Sequence, residues 1–235
     1  MPYEWKTRIR FSETGGDMCL TLPGLLDYFQ DTAPFHAEDL DIGVHYLSPM
    51  GMAWFLAAWQ ITVYRYPQYY ETVVIGTLPY RFRGSVGCRN FYLKTEDGEL
   101  LAVADSVWTL MNVTEGRMVK PPEKVMQRFV TEERLAMDYK GRHIALPERM
   151  EEREAFVVRN QHLDGNGHVN NGQFVRMALE YLPADASVRE LRVEYKQQLR
   201  QGQLVLPRVG ELPDGRVVTL ETKENGICAV VAFTL

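Results

Sequence analysis

The chain has 235 residues, 46% of them hydrophobic and 24% charged, which suits one large domain or two of about 100–130 residues with an ordinary core. A formal net charge of -5 and a pI near 5.6 exclude a general nucleic-acid binder, which needs a basic surface. No run approaches the roughly 18 apolar residues of a membrane span. The charged start MPYEWKTRIRFSE lacks the apolar region of a secretory signal. Cys19, Cys88 and Cys228 are odd in number, widely separated and without a C-x-x-C pair. That argues against a disulfide framework or zinc site and suits a reducing cytoplasm.

Alternation predicts a strand over 4–12, broken by GGD at 15–17. Leu22, Leu25, Leu26, Phe29 and Ala33 follow at helical spacing, so residues 22–40 read as an amphipathic helix interrupted by Pro34. Segments 52–67, 69–84, 86–95 and 100–113 are rich in β-branched and aromatic residues and read as strands, with EDGE (96–99) as a hairpin turn. Trp54, Phe55, Trp59, Tyr64 and Tyr66 are expected in the core of that sheet. The charged, proline-bearing stretch 114–150 reads as a connector with a short helix after PPEK.

The order of elements then recurs. A strand over 155–163 and a DGNG turn lead into a helix over 169–182, with Phe174, Met177, Ala178 and Tyr181 on one face. Strands follow at 187–199, 203–212, 216–223 and 227–234, with PDGR and ENGI as turns. A shift of 148 residues sets Gly24 on Gly172, Leu26 on Phe174 and Phe29 on Met177, a repeat of element order more than of sequence. One strand, one long helix and a run of strands, twice over, predicts two α+β units, each a sheet around its helix.

The stretch HLDGNGHVNNGQFVRMALE (162–180) carries more chemistry than a turn needs. Asn, Asp and Gly suit positive φ, but His168 and a second consecutive Asn do not follow from turn formation. Asp164, Asn166 and His168 fall at i, i+2, i+4, a spacing that in an extended turn points all three side chains one way. His168 is the group suited to move a proton near neutral pH. Asn166 donates N–H without titrating. Asp164 fits a nucleophile, a general base or a group orienting His168. The helix that follows offers unpaired N–H groups to a developing oxyanion. His36 reads as a partly buried polar group, Glu180 as a solvated or helix-packing carboxylate, and the cysteines as core residues.

LDGNGHVNNGQFVRMALE resembles the D-x-N-x-H-V-N-N…L-E signature of the acyl-acyl-carrier-protein (acyl-ACP) thioesterases. GMAWFLAAWQITVYRYPQYYETVVIGT and SVWTLMNVTEGRMVKPPEKV are similar to that family's first-domain strands and the lead into its linker. The resemblance implies two tandem hot-dog domains: 1–120 with much of the acyl-chain pocket, a linker at 121–150, and 151–235 with the catalytic motif. It implies hydrolysis of fatty acyl-ACP to free fatty acid and holo-ACP, with no metal or cofactor, and carries the catalytic Asp, Asn and His onto Asp164, Asn166 and His168. One position departs. Where the plant enzymes read E-Y-R-R-E-C, this chain reads EYKQQL, so Gln198 replaces a Glu and Leu199 a Cys. Gln198 can hold a water, and Glu194 on the same strand face is a partial substitute for the missing carboxylate. An acyl-CoA hydrolase and a non-catalytic acyl-thioester binder are the competing readings. Arg176, Arg189, Arg192, Lys196 and Arg200 are candidate contacts for an acidic carrier. A homodimer is compatible with the sequence, although a double hot-dog also satisfies internally what single ones gain by pairing.

Overall fold

Leu22, Leu25, Leu26, Phe29, Ala33 and Ala37 form one stripe at helical spacing and all are buried, so the segment stays helical only because a sheet covers that stripe. This is α1 (Leu22–Asp39), started by Thr21, whose Oγ1 accepts from Gly24 N at 3.2 Å, with Pro23 in the first turn. The computed structural model describes residues 1–235. They divide into two units, Met1–Ala57 with Ile61–Tyr139 and Ala58–Gln60 with Lys140–Leu235.

In unit 1 the strands are β1 (Tyr3–Arg8), β2 (Met52–Val63), β3 (Thr72–Arg83), β4 (Val86–Thr95) and β5 (Leu100–Asn112). Their order is β1-β3-β4-β5-β2, and the β1–β3, β3–β4 and β4–β5 pairs are antiparallel. Short elements complete the unit: α2 (Val44–Leu47), β6 (Arg117–Met118) against β5, and α3 (Glu123–Arg128). The helix α1 packs on β3, and the Phe29 and Phe91 rings meet at 5.6 Å. Burying one such ring stabilises the unit by about 2–3 kcal/mol. Gly76 is fixed by close approach: a Cβ there would stand 2.0 Å from the Tyr92 ring.

Unit 2 holds β7 (Glu151–Glu152), β8 (Phe156–Val157), α4 (Asn171–Leu179), β9 (Glu190–Tyr195), β10 (Leu204–Leu212), β11 (Gly215–Thr222) and β12 (Gly226–Thr234). The order is β9-β12-β11-β10-β7, antiparallel throughout. Phe174, Val175, Met177 and Ala178 are the buried face of α4, which packs on β11 and β12. Each unit is therefore a helix on an antiparallel sheet, the α+β hot-dog arrangement, with 18 residues in α1 but only nine in α4, shorter than the 169–182 expected.

Several boundaries differ from the sequence expectation. α1 runs through Pro34, because the lost N–H removes one backbone bond while Phe29, Ala33 and Ala37 stay buried on either side. Residues 11–13 and 160–162 are 3-10 turns, so the strands expected over 4–12 and 155–163 shrink to Tyr3–Arg8 and Phe156–Val157. Tyr64 is 56% exposed and lies beyond β2, outside the core. In the expected connector, Val125 and Phe129 are buried in unit 1 while Ile144 packs on Val217, Val230 and Ala232 of unit 2.

Residues 132–139 are fastened to unit 1 by a buried polar network. The Asn90 amide N–H groups reach Ala104 O (3.0 Å) and Asp105 Oδ1 (3.4 Å), and its Oδ1 accepts from Leu135 N (3.1 Å) and Tyr139 Oη (2.9 Å). Tyr80 Oη donates to Asp105 Oδ1 at 2.9 Å. Burial pushes the Asp105 carboxyl up to about 6, against the pull of the Tyr80 hydroxyl, Arg134 and Arg81. A folded-state pKa above the unfolded value of about 3.9 means that the group favours folding below that value and loses this contribution as pH rises through about 6. Asp105→Asn removes the dependence. Its stability in urea relative to wild type should therefore rise by about 2 kcal/mol between pH 4 and pH 7, and a difference flat across that range would refute the assignment.

Candidate active site

The motif loop is built from its backbone outwards. After the 3-10 turn, Leu163 bridges to Val169, Asp164 N donates to His168 O at 2.8 Å, and Gly167 N donates to Asp164 O at 3.1 Å. The tip needs a left-handed residue, and Gly167 supplies it at φ +75°. Asp164 Oδ1 accepts from Asn166 N at 2.8 Å and from His168 N at 3.2 Å, so one carboxylate oxygen holds the loop shut. Asn170 then caps α4: its Oδ1 accepts from Gly172 N at 2.8 Å and its carbonyl from Gln173 N at 2.9 Å. The cap uses those two N–H groups and not that of Asn171.

The loop leans on the chain beyond β9. Val169 N donates to Leu199 O at 2.9 Å, and His168 forms a bridge with Arg200. These contacts set Gln198, one residue before Leu199, beside the motif with its side chain exposed. His168 is half-buried, and its Nε2 is shut off from solvent without a hydrogen-bond partner. Asp164 is half-buried too, and Asn166 is exposed at the loop tip. The structure thus joins Asp164 to His168 through the main chain and leaves the Asn166 amide facing solvent. The Asp164 carboxylate is folded inward onto the loop's own N–H groups, whereas Asn166 is exposed at the tip.

Glu194 does not stand in for the missing carboxylate. It is 5% exposed, accepts from Ile144 N at 3.4 Å, and pairs with His143 Nδ1 and Lys196 Nζ, each at 3.4 Å. Arg192 on the same face donates to the carbonyls of Gly141 and His143. That face of β9 is covered by residues 141–144, and the odd-numbered face carries Tyr195 to α4. The Tyr195 hydroxyl donates to Asn171 O at 3.0 Å and its ring meets Phe174 edge-on at 5.7 Å. Burial raises this phenol's pKa, so it stays a donor. Sequence reasoning misses Tyr195 as a positioning residue; its place one strand step from Glu194 is the available signal. Glu180 is exposed at the end of α4, as expected of a solvated carboxylate. No group of three or more His, Cys, Asp or Glu side chains is gathered in a way that could hold a metal ion.

Unit 1 contains the same loop without this chemistry. Gly15 N donates to Cys19 O (2.9 Å), Met18 N to Gly15 O (3.0 Å) and Thr21 N to Glu13 O (2.9 Å), and Met18 takes the left-handed position at φ +60°. Each bond has its counterpart 149 residues on, so the repeat shift is 149 and not 148. Gly15, Asp17 and Cys19 therefore stand where Asp164, Asn166 and His168 do.

The family model of the acyl-ACP thioesterase N-terminal domain matches residues 2–129, and that of the C-terminal domain matches residues 146–214. A chloroplastic acyl-[acyl-carrier-protein] hydrolase of Cuphea viscosissima is 29% identical over 210 residues, covering 81% of this chain and 49% of that protein. The chain spans about half the length of the Cuphea relatives it matches. The fold is shared with an acyl-ACP thioesterase of Bacteroides thetaiotaomicron (TM-score 0.89, 18% identity, 99% of this chain and 97% of that one). It is shared as well with a 12:0-ACP thioesterase of Umbellularia californica (TM-score 0.86, 18% identity, 99% and 96%). The chain belongs to the acyl-ACP thioesterase family.

Proposed function

We propose that this protein hydrolyses fatty acyl-ACP thioesters to the free fatty acid and holo-ACP. The observation that carries the reading is the enclosed, unpartnered Nε2 of His168 in a loop locked by Asp164, directly ahead of the α4 N-terminus. In this scheme Nε2 takes a proton from water as the oxygen attacks the thioester carbonyl. The oxyanion forms against the Asn171 N–H, the first-turn donor that the Asn170 cap leaves unused, with the Asn166 amide as a side-chain donor. Collapse breaks the C–S bond, and the imidazolium returns the proton to the departing thiolate. Asp164 keeps the loop closed through Oδ1, and Oδ2, which has no partner in the chain, is the oxygen available to the reaction.

His168→Ala and Asn166→Ala should each lower kcat by at least about 10²-fold. Asp164→Asn is the sharper variant, because it keeps an acceptor for the 166 and 168 N–H groups while abolishing the charge. A similar loss in Asp164→Asn assigns the carboxylate to the reaction, and full activity reduces it to a loop fastener. Wild-type turnover in both His168→Ala and Asp164→Ala would sink the scheme.

Gln198 gives the non-catalytic binder its one supporting observation, since it stands exposed beside the motif in place of a Glu. If Gln198 only positions water, Gln198→Glu leaves hydrolysis measurable and Gln198→Ala reduces it modestly. Turnover in Gln198→Glu alone, with none in wild type on acyl-ACP or acyl-CoA, would favour the binder.

Carrier docking needs positive charge on an acidic chain. Arg189 is tied to the Leu235 carbonyl, Arg192 to residues 141 and 143, and Lys196 to Glu194. Arg200 is exposed and bridged to His168, which makes it the docking cation nearest the motif. Arg200→Glu should cut kcat/KM for acyl-ACP several-fold and flatten its salt dependence, while a short pantetheine thioester reacts as before. Equal losses on both substrates would assign Arg200 to the loop.

A further inference from the structure

Arg89 on β4 is 6% exposed, the one buried charged side chain of unit 1. Burying a guanidinium costs several kcal/mol unless it is paired, and no carboxylate of the chain pairs with this one. Its partners are neutral. Nη1 meets His36 Nδ1 at 3.1 Å and Thr77 Oγ1 at 3.3 Å, and the guanidinium lies 5.1 Å over the Phe129 ring. Thr77 gives its own hydrogen to Asn90 O at 2.9 Å, so it presents a lone pair to Arg89. His36 is stacked on Tyr3 at 5.0 Å, and burial together with Arg89 holds its pKa at about 4, uncharged at neutral pH. Burial lowers Arg89 itself to about 9, still protonated there.

These contacts use Nη1 alone. Nε–H and the Nη2 hydrogens have no partner in the chain, and the Nε–Nη2 edge is the fork that takes a carboxylate through two parallel bonds. On the Phe129 side the surroundings are apolar: Phe129 stacks on Phe82 at 5.6 Å and belongs to a cluster with Ala37, Leu110 and Val125, against which Trp54 packs, while the Asp39 carboxylate acts on His36 and Tyr3 from the other side. A cationic fork in an aromatic wall suits one negative charge on a hydrocarbon body better than a strongly hydrated phosphate.

We propose that Arg89, with His36 and Thr77, is a carboxylate-binding site of unit 1 whose ligand carries its carboxylate on an apolar chain. Two sources share this chemistry: a free fatty acid, and an acyl group with a carboxylate at its far end. The second source rests on the thioesterase reading, whereas binding itself needs no turnover.

The test is calorimetry on the full chain at pH 7.5 with decanoate and decanol, in wild type, Arg89→Met and Arg89→Lys. Wild type should bind decanoate at least tenfold more tightly than decanol. Arg89→Met should abolish the difference without lowering the melting temperature, because an unpaired buried charge is removed. Arg89→Lys, a point charge without the fork, should keep only part of it, and decides the question if Arg89→Met does not fold. Equal affinity for the two ligands in wild type, or an undiminished preference in the variants, overturns the proposal. Hydrolysis of ω-carboxydecanoyl and decanoyl pantetheine then separates the sources. A carboxylate preference lost in Arg89→Met identifies the far end of a substrate, and none alongside tight decanoate binding identifies a free acid. A catalytically silent protein would still return the calorimetric answer.

Discussion

A backbone bond across a five-residue loop, Asp164 N to His168 O in one unit and Gly15 N to Cys19 O in the other, is what the candidate site is built on. The loop turns the chain out of a 3-10 turn and delivers it to the helix that follows, and both units do this with the same bonds. Unit 1 makes the turn with Gly15 and Cys19, so the geometry requires neither an aspartate at 164 nor a histidine at 168. It even tolerates Met18 in the left-handed position that Gly167 fills in unit 2. What unit 2 adds is an aspartate and a histidine that the turn itself does not need, and unit 1 is the internal control for that statement.

The control also shows what Asp164 does besides chemistry. The N–H of His168 is satisfied by Asp164 Oδ1 at 3.2 Å, and the equivalent N–H of Cys19 by Asp17 Oδ1 at 3.0 Å. A carboxylate acceptor inside the loop is therefore common to both units, but it comes from different positions. In unit 2 it comes from the first position, which frees the middle one for the neutral amide of Asn166. The imidazole keeps Nε2 uncommitted for the same reason: its main-chain N–H is already held, so its ring need not close the loop. Fastening by one carboxylate oxygen lets a short loop be rigid while the imidazole Nε2 stays uncommitted.

The helices and the motif are legible in the sequence because their patterns are local. A buried stripe at 3.6-residue spacing marks α1 and α4, and His168 exceeds what a turn needs. The repeat shift comes out one residue short when glycine is matched to glycine. Gly24 is reached by the short hydroxyl of Thr21 three residues before, and Gly172 by the amide of Asn170 two residues before. The two glycines answer different caps. Alternation places Arg192 and Glu194 correctly on one face of β9, but the strand ends at Tyr195, so Lys196, Gln198 and Arg200 lie beyond it, and the pattern does not reveal what that face meets. Residues 141–144 cover it, some 50 positions away in the chain, and no periodicity carries that information. Tyr195 escapes notice for the same reason, since its partner Asn171 lies 24 residues away.

The two buried charged side chains sharpen the contrast between the halves. In unit 2 Glu194 is answered by a backbone N–H and two cationic or titratable neighbours, which makes it a fastener for residues 143–144. In unit 1 Arg89 is answered by a neutral imidazole, a hydroxyl and a ring, and keeps its carboxylate-binding edge uncommitted. A buried charge is tolerated when it is paired, so the first needs nothing more and the second lacks a partner. The copy whose loop has Gly15 and Cys19 in place of Asp164 and His168 is thus the copy whose buried guanidinium has no carboxylate partner. The duplicated fold thus holds the Asp164–His168 loop in one copy and the uncommitted edge of Arg89 in the other, so substitutions at the two features can be read independently of each other.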